Sequence, residues 1–101
     1  MNEIQRFSTP TLKFNFTFLT EQLTDIYITL LQGDVIIEKK YQDIVKQDKS
    51  VSVKLSQEET GQFKANQYVY IQVRFKHQEM SSFASKLFKR NVTNVLKEGA
   101  I

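Results

Sequence analysis

Tyr68-Val69-Tyr70-Ile71-Gln72-Val73-Arg74-Phe75 is the run from which the fold is read. Val69, Ile71, Val73 and Phe75 alternate with Tyr68, Tyr70, Gln72 and Arg74, and this two-residue period sends the two sets to opposite faces of an extended strand. The surrounding stretch, Asn66 to Lys76, is rich in β-branched, aromatic and long amphipathic side chains and contains neither Gly nor Pro. That composition predicts a central strand rather than an edge.

Working outward, Leu12, Phe14, Phe16 and Phe18 alternate with Thr11, Lys13, Asn15 and Thr17, which predicts a strand beginning just after Pro10 with its Phe side chains in the core. Thr20 to Thr24 reads as a short turn or a single helical turn. Asp25 to Gln32 and Val35 to Tyr41 form two further β-rich runs across Gln32-Gly33-Asp34. A Gly between two such runs marks a hairpin, because it takes the positive φ these turns need. Ile44 and Val45 suggest a short edge strand, and Val51, Val53 and Leu55 another strand. Ser56-Gln57-Glu58-Glu59 has capping-box spacing, with Gly61 placed to end the helical turn and Phe63 to tuck beneath the connection that follows. The last run, Phe83 to Leu96, fits strand better than helix, with a bulge or edge position that lets Arg90 reach water.

Six or seven short strands and one helical turn predict an all-β fold, an antiparallel immunoglobulin-like β-sandwich, with a small barrel as the alternative. The chain has 101 residues, eight Phe and four Tyr, enough for one core, so residues 1–101 are expected to form a single domain. With no Cys, and no Trp, the antibody-type disulfide and its central indole are both absent.

Composition also narrows the function. There is no thiolate for catalysis or metal binding, and no His cluster. His77, the only His, is expected on a surface loop without a catalytic partner. Glu58 and Glu59 are accounted for at a helix N-terminus, and Gly33, Gly61 and Gly99 are isolated, so no phosphate-cradling loop is formed. No enzyme, no cofactor and no metal are expected. The start of the sequence carries no signal-peptide pattern and no apolar run reaches membrane-spanning length, so Asn15-Phe16-Thr17 and Asn91-Val92-Thr93 are read as coincidental glycosylation triplets.

The net charge of +3 is uneven: residues 74–101 hold six cations against two carboxylates, a local +4, leaving −1 elsewhere. Arg74, Lys76, Lys86, Lys89, Arg90 and Lys97 lie near Tyr68, Tyr70, Phe75 and Phe88, so the rival reading is a small basic barrel that binds single-stranded nucleic acid. It is disfavoured, because the charge is modest and two of the rings are assigned to the core. Tyr68, Tyr70, Gln72 and Arg74 form a polar-aromatic outward stripe of the composition enriched at protein interfaces, and are the candidate interface.

Phe7-Ser8-Thr9-Pro10-Thr11-Leu12-Lys13-Phe14, Val53 to Thr60, Ile71-Gln72-Val73-Arg74 and Ala84-Ser85-Lys86 together resemble a group of small phage and prophage proteins of Gram-positive (Firmicute) bacteria. The resemblance spans Phe7 to Leu96 and is carried by structural motifs. It implies a structural protein of the virion, in the tail or baseplate, found in the virion or the bacterial host cytoplasm. Its implied partners are other phage structural proteins or further copies of itself, with no membrane. The chain departs from the group at Arg90, where a small apolar residue is usual, and in its more basic tail.

Overall fold

The computed structural model describes residues 3–78, 82–85, 87–94 and 96. Nine strands form two sheets: β1 (Glu3–Gln5), β2 (Thr11–Asn15), β3 (Leu23–Gln32), β4 (Val35–Lys39), β5 (Val45–Gln47), β6 (Ser50–Lys54), β7 (Tyr68–His77), β8 (Ser82–Ala84) and β9 (Phe88–Thr93). Among the described residues the fold is all-β apart from a one-turn helix, α1 (Gln57–Gly61), and 3-10 turns at Thr20–Gln22 and Tyr41–Asp43. The larger sheet runs β1-β9-β7-β3-β4, with β8 also on β7; the smaller runs β2-β6-β5.

The expected central strand is β7, paired with β3 along one edge and with β9 and then β8 along the other. Its inner row of Val69, Ile71 and Val73 is buried, as are Ile26, Ile28 and Leu30 of β3 and Val51 and Val53 of β6, so the two sheets face each other across one core. Aromatic rings bridge them. Phe14 meets Phe88 at 5.7 Å and Phe16 meets Phe75 edge-on at 5.3 Å. Such ring pairs add to the area they bury.

Several local signals act as their chemistry predicts. Gly33 has φ +56° while Asp34 has no positive φ, so the Gln32–Val35 hairpin has its positive φ at the first central position, as in a type II′ turn. Ser56 Oγ accepts from the Glu59 N–H at 3.1 Å, and Glu59 Oε1 accepts from the Ser56 N–H at 2.9 Å, closing the capping box. Phe63 is fully buried.

Other features differ from expectation. Among the described residues strands number nine rather than six or seven. One pair, β1 with β9, is parallel, with Glu3 opposite Asn91 and Gln5 opposite Thr93. The last run is two strands, since Ser85 interrupts it by donating its N–H to Val73 O at 2.7 Å and accepting the Val73 N–H on Oγ at 3.0 Å. Pairing of β9 with β7 is regular from Phe88 to Asn91 and β1 meets β9 only from Asn91 to Thr93, so among the described residues Arg90 takes an edge position and not a bulge; the register shift lies in β3, between Leu23 and Asp25. Gly61 does not end its helix through a left-handed φ. It closes α1 where the Phe7 ring lies, and a Cβ there would come within 2.8 Å of Phe7 Cδ1.

Glu59 also bridges to Lys39 of β4, with Nζ to Oε2 at 2.7 Å. Burial pushes this carboxyl up, but the hydrogen bonds from Lys39 and Ser56 and the Lys39 charge outweigh it and hold the group below its ordinary value of 4.5. Because the native value is the lower one, the stabilisation is complete above the ordinary carboxylate range and is lost as pH falls through the native value. Glu59→Gln is therefore expected to show a smaller fall in urea midpoint than the wild type between about pH 7 and about pH 3. An identical fall in both would place the acid sensitivity elsewhere.

Candidate interaction surface

The outer face of the larger sheet is laid out by register. The two-residue turn at Gly33-Asp34 sets Leu31 opposite Ile36, β3–β7 pairing sets Leu31 opposite Tyr70, and β7–β9 pairing sets Tyr70 opposite Lys89. Ile36, Leu31, Tyr70 and Lys89 thus make one row across four adjacent strands. The next row is Glu38, Thr29 and Gln72, followed by Tyr27 and Arg74; on the other side lie Tyr68, Asn91 and Glu3.

The apolar members of this lattice are open to solvent: Ile36 at 66%, Tyr68 at 51%, Tyr70 at 42% and Leu31 at 41%. Leu87, also exposed, joins Thr29, Leu31, Glu38, Tyr70, Gln72 and Arg74 around a shallow groove of about 560 Å³. Charges frame the face rather than cover it. Arg74 lies over the Tyr27 ring at 5.4 Å and 3.5 Å from Glu38 Oε2, which Thr29 Oγ1 also approaches at 3.3 Å. Lys89 Nζ sits 4.7 Å from the centre of the Tyr68 ring. A cation over a ring face is held there by the ring's quadrupole.

Of the four residues expected to form the interface, Tyr68, Tyr70 and Arg74 are exposed on this face. Gln72 is half-buried, and its Nε2 donates to Ser85 O at 3.0 Å, so its amide fastens the β8–β9 connection. Leu31, Ile36 and Leu87 belong to the same surface and escaped the sequence reading. Leu31 had a signal, its alternation with Tyr27 and Thr29; Ile36 is placed beside it only once the hairpin register is fixed, and Leu87 has no such signal.

His77 is not a loop residue: it is buried as the last position of β7, continuing the inner row of Val69, Ile71, Val73 and Phe75. Its Nε2 hydrogen-bonds with Gln22 Oε1 at 3.0 Å, and its ring meets Phe18 edge-on at 4.9 Å. Lys86, Lys97 and Gly99, named from the sequence, lie outside the described residues. Among the described residues no group of three or more His, Asp or Glu side chains is placed to hold a metal, and no helix is long and apolar enough to cross a membrane. The chemistry this surface offers is apolar and aromatic contact with a polar frame. Comparison with known protein families, with curated proteins and with solved structures returns no significant match.

Proposed function

We propose that this chain is a non-enzymatic structural module of a phage or prophage virion, in the tail or baseplate, built as an immunoglobulin-like sandwich and acting through the outer face of its larger sheet. The row Ile36–Leu31–Tyr70–Lys89 carries the proposal. Three exposed apolar or aromatic side chains in register across three strands, bordered by charge, have the composition of an interface core and its rim. The virion context comes from the resemblance over Phe7 to Leu96.

Strand order supports the immunoglobulin-like reading. Lettered in that scheme, β2, β6 and β5 take the places of B, E and D, while β9, β7, β3 and β4 take those of G, F, C and C′, with α1 between E and F. Strand β1 departs from the constant-type pattern by joining the last strand.

The chain is expected in tail or baseplate fractions of purified particles, and Tyr70→Ala is expected to lower its incorporation by about tenfold while leaving its fold intact, because a central interface aromatic commonly contributes more than 1 kcal/mol. A chain never recovered with particles, or incorporated equally well as Tyr70→Ala, would remove the reading. Titration with single-stranded DNA at low and high salt separates the nucleic-acid rival, which requires binding that weakens steeply with salt.

A further inference from the structure

Strand β4 ends the larger sheet, and its outer edge is less protected than the others. Strands β1, β5 and β8 have three residues each, and β2 follows Pro10 and carries an exposed Lys13 at its middle. Strand β4 has five residues, Val35-Ile36-Ile37-Glu38-Lys39, with no Pro or Gly, and its Lys39 is drawn to Glu59 of α1 instead of standing free on the edge. Short length, Lys and Pro are the usual guards of a free edge.

The hairpin fixes which groups point outward. In a two-residue hairpin the closing pair, here Gln32 and Val35, exchanges hydrogen bonds, so Val35, Ile37 and Lys39 turn their backbone groups to β3. Ile36 and Glu38 turn theirs away from the sheet. The next outward residue, Lys40, is already engaged, donating its N–H to Asp43 Oδ2 at 3.0 Å and accepting the Asp43 N–H at 2.8 Å. The open edge therefore presents two N–H and two C=O groups beside an exposed Ile36.

We propose that two copies of this chain pair antiparallel through β4, about a two-fold axis at Ile37. Backbone parity allows Ile36 and Glu38 to exchange hydrogen bonds only with even-numbered residues of the second copy, and charge then selects among the neighbouring registers. Setting Ile36 opposite Ile36 puts Asp34 against Glu38, and setting Glu38 opposite Glu38 opposes two carboxylates directly. With the axis at Ile37, Ile36 faces Glu38 and Asp34 faces Lys40 at both ends, giving two opposite-charge pairs and no like-charge pair; Asp34 and Lys40 are both exposed. This pairing deepens the proposed function and rests on its reading of the sheet as a contact element: it sets the two Ile36–Leu31–Tyr70 rows side by side on one extended face.

The test is sedimentation velocity on the full chain over concentrations up to roughly 1 mM, with the wild type expected to dimerise. Asp34→Lys and Lys40→Glu, each alone, put like charges at both ends of the dimer, and each is expected to weaken it by about tenfold. An equimolar mixture of the two variants restores an opposite-charge pair at each end of the mixed dimer and is expected to dimerise as the wild type does. Ile36→Pro removes an outward N–H and no β3–β4 bond, so it is expected to stay folded and lose the dimer. A wild type monomeric throughout, or a dimer indifferent to all these changes, overturns the proposal. A dimer lost only on Tyr70→Ala overturns edge pairing yet leaves the outer face as a contact surface. Unchanged particle incorporation of Tyr70→Ala beside a β4-dependent dimer has the reverse meaning.

Discussion

Phe63→Ala is expected to cost ~3–5 kcal/mol of folding stability. The ring is fully buried, yet it belongs to neither sheet: it follows α1 and plugs the core beneath the connection into β7. Removing it takes away the transfer free energy of a whole aromatic side chain and leaves a void that the neighbouring strands close only in part, because their positions are fixed by ladders on both sides. A domain of this size has about 5–15 kcal/mol in all, so the variant would be marginal at physiological temperature. Urea unfolding measures the loss directly, and Phe63→Leu, which keeps most of the volume, should recover more than half of it. A loss for Phe63→Ala under about 1 kcal/mol would mean that the connection carries the ring away from the core.

Gly61→Ala is expected to destabilise by about 2 kcal/mol net, against the direction that helix propensity alone predicts. At an ordinary helical position the change would gain up to about 1 kcal/mol. Here the new methyl overlaps the Phe7 ring, and that ring has little freedom to retreat. Phe7 itself has φ +58°, and the Arg6 guanidinium lies 5.1 Å from the ring centre while donating from Nη2 to Gly61 O at 3.1 Å. The N-terminal segment is further tied to α1 by Thr60 Oγ1, which donates to Ser8 O at 2.9 Å and accepts the Ser8 N–H at 3.1 Å. A double-mutant cycle isolates the cause: in a Phe7→Ala background, Gly61→Ala should become neutral or stabilising. Equal cost in both backgrounds would refute the steric explanation.

What could be read from the sequence was what is local. The alternation at 68–75, the Gly33 hairpin and the Ser56–Glu59 capping box each depend on residues within a few positions of one another, and each lies where its pattern placed it; the alternation at 12–18 holds as a strand only to Asn15, with Phe14 buried and Phe16 and Phe18 partly buried beyond its end. Features that depend on distant partners were not legible. Glu3-Ile4-Gln5 has a single apolar residue and no period; it is a strand because Ile4 and Val92 are both buried where β1 meets β9. His77 looked like the end of a strand and the start of a loop, whereas β7 continues by one residue and keeps the same face inward. The candidate interface stripe is half visible for the same reason: Tyr68, Tyr70 and Arg74 lie along one strand, but Ile36 and Leu31 join them only across strands.

The parallel seam between β1 and β9 fixes how the molecule responds to tension. Its two strands run the same way, with residue 3 and residue 93 at opposite ends of the seam, so a pull applied through them slides one strand along the other. The backbone bonds of that seam, together with Arg6 N–H to Thr93 O at 2.9 Å, then share the load instead of opening one at a time. Tension along that axis therefore loads the seam in shear and leaves the exposed aromatic face of the larger sheet clear of the line of force.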